Sequence, residues 1–192
     1  MKKCIELAQD LGVRTIQLAG YDVYYEEKSP QTRQRFIKNL RKACDWAEEA
    51  QVVLAIEIMD DPFINSIEKY LAIEKEIDSP YLFVYPDIGN VSAWHNDVYS
   101  EFYLGHHAIA ALHLKDTYAV TESSKGQFRD VPFGQGCVKW EEAFDILKQT
   151  NYNGPFLIEM WSENCEIVEE TRAAIQEAQA FLYPLIKKAG LM

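Results

Sequence analysis

Four short apolar runs, each ending on a polar residue, constrain this chain more than any other feature. Val52-Val53-Leu54-Ala55-Ile56 leads into Glu57, and Leu82-Phe83-Val84-Tyr85-Pro86 into Asp87. Ile109-Ala110-Ala111-Leu112 leads into His113-Leu114-Lys115-Asp116, and Phe156-Leu157-Ile158 into Glu159. Parallel strands covered on both faces read as unbroken apolar runs, because neighbouring layers shield both sides. A polar residue at the end of such a strand belongs to the carboxyl rim of an α/β sheet or barrel, the exposed part of a rigid frame. Singly, each residue has a plainer reading: a glutamate capping the next helix, an aspartate beside Gly89-Asn90 in a turn, a hydrogen-bonded core histidine. Four in succession, one per strand, favour a shared site. Three carboxylates and one imidazole suit one divalent cation such as Mn, Co, Mg or Zn.

Between the runs the spacing is helical. Cys4 to Leu11 reads as a helix stopped by Gly12, with a strand over 13–19 behind it. Ser29-Pro30 reads as an N-cap followed by proline in the first turn of a helix to about Ala50, packing through Phe36, Ile37, Leu40, Ala43, Cys44 and Ala47. The pattern predicts further helices from about Ile64 to Ile77, around Val98 to Leu104, across Trp140 to Leu147, and from about Val168 towards Leu185. Asp87-Ile88-Gly89-Asn90 reads as a turn. Thr117 to Gly136 is a long connection with no clear periodicity, and connections of that length are usually functional or mobile.

Five strands result, at 13–19, 52–59, 82–86, 109–114 and 154–160, in one domain over residues 1–192. A complete (β/α)8 barrel has eight strands and about 250 residues. The first helix leads directly into a strand, as the second half of a βα pair would. The expectation is either an open five-stranded α/β sheet or the carboxyl-terminal part of a barrel lacking about three βα units upstream.

Composition narrows the partners. Thirty acidic against nineteen basic residues give a formal net charge of -11, which repels a phosphate backbone unless a basic patch intervenes. The densest basic run, Arg33 to Lys42, is interleaved with apolar residues and reads as solvated helix surface, so no nucleic-acid partner is expected. Cys4, Cys44, Cys137 and Cys165 have no CxxC spacing and fit a reducing compartment. The residues after Met1-Lys2-Lys3 make no apolar leader, and no run approaches membrane-span length. A cytoplasmic protein without membrane partners is expected.

Six ordered motifs carry a family likeness. Leu18-Ala19-Gly20-Tyr21-Asp22, Glu57-Ile58-Met59-Asp60, Tyr85-Pro86-Asp87-Ile88-Gly89-Asn90, His113-Leu114-Lys115-Asp116-Thr117, Val131-Pro132-Phe133-Gly134 and Leu157-Ile158-Glu159-Met160-Trp161 resemble the L-xylulose-5-phosphate (L-ribulose-5-phosphate) 3-epimerases. Some members of that family are labelled hexulose-6-phosphate isomerases. The resemblance implies a xylose-isomerase-like TIM barrel, here incomplete with about five βα units. It also implies one divalent metal held by Glu57, Asp87, His113 and Glu159, with Glu57 and Glu159 as the acid-base pair acting on C3 of a ketose phosphate.

Around that set, Lys115 falls two residues past His113 on the same side of the strand, placed to hold an anionic substrate or polarise an oxygen. Arg129 is a candidate for the substrate phosphate and Asn90 for a sugar hydroxyl. Trp94 and Trp161 read equally well as pocket walls or core. Gly134-x-Gly136 reads as loop geometry, and His95, His106 and His107 as surface or structural residues. Three alternatives stand beside the epimerase. One is an aldose-ketose isomerase on the same carboxylates. Another is a repair endonuclease of the same superfamily, disfavoured because trinuclear zinc chemistry needs more histidines than four. The last is a silent fragment that self-associates into a homo-oligomer through strand edges at 13–19 and 154–160.

Overall fold

Helix α1 (Lys2–Leu11) ends where Gly12 turns left-handed at φ 70°, its N–H returning to the last carbonyls of the helix. Val13 completes that cap by donating to the Ala8 carbonyl, so strand β1 begins only at Thr15 and runs to Ala19. The computed structural model describes residues 1–163 and 165–192. Helix α2 (Pro30–Ala50) opens with the expected Ser29 cap, made reciprocal by Thr32, and buries Ile37, Leu40, Ala43, Cys44 and Ala47 along one face. Strand β2 (Val53–Glu57) follows. Helix α3 (Ile67–Ile77) starts three residues later than the spacing predicts, because Ser66 supplies its N-cap by accepting from the Lys69 N–H.

Strand β3 (Leu82–Tyr85) leads to Asp87, where the sequence reading needs correction. The Asp87-Asn90 stretch is the start of helix α4 (Ile88–Ala93), capped by the Asp87 side chain. Helix α5 (Val98–Gly105) and a 3₁₀ turn at His106–Ala108 come next, then strand β4 (Leu112–Leu114). A second correction falls in the stretch read as structureless. Strand β5 (Asp116–Tyr118) pairs antiparallel with β6 (Gln127–Val131), forming a short ribbon with an irregular register. It gave no periodicity because Gln127, Arg129 and Asp130 are exposed and Val131 alone is buried, so no side alternates cleanly with the other. Helix α6 (Trp140–Gln149), strand β7 (Phe156–Ile158) and helix α7 (Val168–Ala189) complete the chain. Pro184 does not end α7: the helix continues to Ala189, with Leu182 and Ile186 buried on either side of it.

β1, β2 and β3 form a parallel sheet in sequence order. Parallel bridges from Val84 to Ile109 and from Asp87 to His113 carry that order to β4, and β4 pairs parallel with β7. The barrel-type strands therefore run β1-β2-β3-β4-β7, and among the described residues the outer edges of β1 and β7 carry no partner strand. The main core lies between the sheet and the helices, where Leu54, Ile56, Val84, Leu112 and Leu114 meet Ile37, Cys44, Tyr70, Phe102, Phe144 and Leu147. The opposite face of the sheet holds a smaller cluster of Ala55, Tyr85 and Ala111 with Phe83 against it. Toward its flanks that face is open, with Gln17 exposed on β1 and Leu157 44% exposed on β7. Among the described residues no helix is long and apolar enough to cross a membrane.

Candidate metal centre

Side chains alternate across a strand, so residues two apart share a face. Counting in twos from the small inner cluster reaches the polar strand ends: Ala55 to Glu57, Tyr85 to Asp87, Ala111 to His113 and Lys115, Leu157 to Glu159. Strand pairing sets Glu57 beside Tyr85, and the parallel bridge sets Asp87 beside His113. The Glu159 N–H donates to the Leu114 carbonyl, which aligns Glu159 at the same height. All four expected residues converge: one ligand atom from each of Glu57, Asp87, His113 and Glu159 lies within 4.8 Å of the others. Around the rim the order is Glu57, Asp87, His113, Glu159, with the two glutamates outermost.

Each carboxylate is held so that an oxygen remains for the cluster. Gln17 donates to Glu57 Oε2 at 2.6 Å, and Glu57 Oε1 accepts from His113 Nδ1 at 2.8 Å. The Asn90 backbone N–H donates to Asp87 Oδ1 at 2.8 Å, leaving Oδ2. Glu159 Oε2 lies 3.2 Å from His113 Nδ1. Asp87 Oδ2 and Glu159 Oε2 are buried without a hydrogen bond, although Lys115 Nζ stands 3.0 and 3.1 Å from them at ion-pair distance. Buried oxygens of this kind need a positive partner. The donor set and these orphaned oxygens fit a divalent cation.

The electrostatics follow from crowding. Burial pulls the His113 imidazole down, but its contacts with Glu159 and Glu57 outweigh burial and raise it to about 9. Complete burial raises Asp87 well above the usual carboxylate range, against the pull of Lys115. Burial would also raise Glu159, yet His113, Asp87 and Lys115 together hold it low. Burial lowers Lys115, but Asp87 and Glu159 more than restore it. The Tyr85 hydroxyl is pushed up to about 12, by burial first and by Glu57 and Glu159 after it. Its ring meets the His113 ring edge-on, with the ring centres 4.7 Å apart.

The surrounding candidates separate. Lys115 joins the cluster and is 5% exposed. Asn90 is spent mainly on structure, its side-chain amide donating to the Ile58 carbonyl at 2.8 Å, while its Oδ1 stays buried without a donor. Arg129 is exposed and stacks over Trp161 at 5.0 Å. Trp161 also receives Lys115 Nζ at 5.1 Å, so it walls the site, whereas Trp94 leans on Phe128. His95 contacts the Val120 carbonyl and His106 the Tyr103 carbonyl, away from the cluster. Gln17 and Tyr85 were not singled out in the sequence; the signal for Gln17 was a lone polar residue inside Ile16-Gln17-Leu18. Beside Lys115 and Glu159 opens a cavity of about 430 Å³, lined also by Trp161, Phe133, Gln135 and Phe181.

Comparison with known proteins gives the family and the fold. The model of a family described as xylose isomerase-like TIM barrel matches residues 1–185. SgbU of Haemophilus influenzae is 52% identical over 192 residues, all of this chain and 66% of its own length. The L-ribulose-5-phosphate 3-epimerase UlaE of Escherichia coli is 47% identical over the whole chain, which covers 64% of it. The chain thus spans just under two thirds of these curated relatives. Among solved structures, that of IolI with a bound zinc atom superposes with a TM-score of 0.76 at 19% identity, over 98% of this chain and 68% of that one.

Proposed function

Because the chain belongs to the xylose isomerase-like TIM-barrel family, we propose that it carries the metal and acid-base half of a 3-epimerase interconverting L-ribulose 5-phosphate and L-xylulose 5-phosphate. The observation that carries this reading is the convergence of Glu57, Asp87, His113 and Glu159 within 4.8 Å. The name of the UlaE relative supplies L-ribulose 5-phosphate and the carbon inverted, and inversion at C3 of that sugar gives L-xylulose 5-phosphate. The zinc in the IolI structure supports a divalent ion, whether Zn, Mn, Co or Mg.

The reaction inverts the carbon next to a ketone, so the C3 proton must leave and a proton must return to the other side. A bound divalent cation supplies Lewis-acid stabilisation of the charge that develops on oxygen as that proton leaves. A single base would return the proton to the face it came from, and two groups on opposite flanks are needed. Glu57 and Glu159 occupy those flanks, coming from strands separated by the two that bear Asp87 and His113. Gln17 holds Glu57 in place, and Lys115 crowds Glu159. In this reading one glutamate removes the C3 proton and the other delivers one, their roles exchanging in the reverse direction. Lys115 and Asn90 face the substrate from the cluster side, and Arg129 meets the phosphate from the ribbon.

The test is exchange of the C3 proton with deuterated solvent, in the protein loaded with metal and supplied with either pentulose phosphate. Glu57→Gln and Glu159→Gln should each slow exchange by roughly three orders of magnitude, as loss of a positioned acid or base does. Exchange at the wild-type rate in either variant ends this assignment. Aldose formation in place of epimerisation would transfer the same residues to an isomerase.

A further inference from the structure

We propose that Lys115 is the charge-balancing residue of the metal centre: a built-in ammonium that neutralises the charge a divalent ion leaves over and so weakens the site's hold on that ion. The inference rests on the metal reading above and assigns Lys115 a role that does not depend on substrate.

Glu57, Asp87 and Glu159 bring three formal negative charges, and a neutral His113 brings none. A divalent ion cancels two of them. The remaining charge would lie at the end of a buried sheet face, where an unpaired charge is costly. Lys115 Nζ is placed to cancel it, 3.0 Å from Asp87 Oδ2 and 3.1 Å from Glu159 Oε2. Those are the two cluster oxygens without hydrogen bonds. The ammonium is buried and backed by the Trp161 ring, so water does not solvate it in place of the carboxylates. Its position follows from the strand, since Lys115 lies two residues beyond His113. The Glu159 N–H bond to the Leu114 carbonyl keeps β7 alongside. Lys28, a second lysine paired with two carboxylates, is engaged with Asp22 and Asp61.

Charge balance has a signature that packing lacks. An ion of charge z held a few ångströms from a fixed ammonium is repelled in proportion to z. Removing the ammonium should therefore strengthen binding of a trivalent ion more than a divalent one, in a logarithmic ratio of roughly three to two. A lysine that merely filled space or held the carboxylates in position would give no such ordering.

The experiment measures Mn²⁺ affinity by competition with a chelating dye and Tb³⁺ affinity by luminescence, on the wild-type chain, Lys115→Met, Lys115→Gln and Lys115→Arg. Circular dichroism confirms the fold before titration. The two uncharged variants should bind Mn²⁺ about tenfold or more tightly than wild type, with a larger gain for Tb³⁺. Lys115→Arg keeps the charge and should stay within a few-fold of wild type. Equal or weaker Mn²⁺ binding in the uncharged variants, or the same gain for both ions, overturns the proposal. Failure of both uncharged variants to fold would also overturn it, since Lys115 would then be needed to hold the carboxylates in position. Failure of the wild-type chain to bind either ion would instead remove the metal reading itself.

Discussion

His113 governs the charge of the centre because its ring nitrogen faces two glutamates and can hold either a proton or a cation. With its protonation raised to about 9, the imidazole is charged at neutral pH when no metal is present. Binding a cation through that nitrogen requires the neutral ring, so uptake at pH 7 should release at least one proton. Metal affinity should then climb about tenfold per pH unit up to about pH 9. Titration calorimetry in buffers of different ionisation enthalpy counts the proton directly, and a count of zero would contradict the arrangement. The same shift sets a stability trend. The folded value lies above the ordinary one of about 6.5, so the contribution is full below pH 6.5 and fades as pH rises to 9. The metal-free protein should melt at lower temperature at pH 9 than at pH 6.5, with the difference reduced by saturating metal. The four converging residues were legible mostly through the family resemblance, and partly because each sits at the end of an apolar run from which alternation carries it to one face. Lys115 was legible by the same rule. Gln17 was not, because its partner Glu57 is forty residues away and only strand pairing brings them together. Arg129 lies outside the cluster, exposed on the ribbon and stacked on Trp161.

Among the elements, the ribbon and the loop behind it depend on one carboxylate. Asp116 is buried and accepts backbone N–H groups from Thr117, Gly134, Gly136 and Val138, with the Trp140 indole N–H beside them. It therefore ties β5 to the start of α6. A Cβ at Gly136 would come within 2.0 Å of Asp116 Oδ1, which accounts for glycine there. Asp116→Ala should cost at least about 3 kcal/mol, since several buried donors lose their acceptor together. Urea denaturation followed by circular dichroism measures it, and a change below about 1 kcal/mol would show that the loop holds without this side chain. Helix starts and stops were legible wherever a cap carried the signal, as at Ser29-Pro30 and Gly12. The ribbon was not, because its order comes from Asp116 and from neighbours distant in sequence. Nor was α4, whose six residues are too few for a period and all buried.

At the scale of the molecule, the described residues form a sheet of five parallel strands, with a two-stranded ribbon beside it, helices packed on one side and a partly open inner face. The five parallel strands were readable from βα alternation, whereas the two strands of the ribbon and the convergence of the site needed coordinates. Unpartnered parallel edges are templates for association. As an isolated polypeptide, residues 1–192 should self-associate at micromolar concentration, and Leu157→Lys on the open inner face should lower the mass measured by sedimentation. A monomer for both would show that the edges are protected as they stand. Pairing across the sheet is uneven. β2 is bonded on both sides, whereas β7 has three residues in register with β4 and, among the described residues, no strand beyond. Glu159 lies one residue past that weakest strand, so a captured ion would act as a rivet, fastening the tail of the chain to its middle. Stripping the ion with a chelator should then quicken amide hydrogen exchange at Leu157 and Ile158 well before it is felt at Leu54 and Ile56. Loss of the tail strand, rather than global melting, would become the first step by which the emptied protein comes apart.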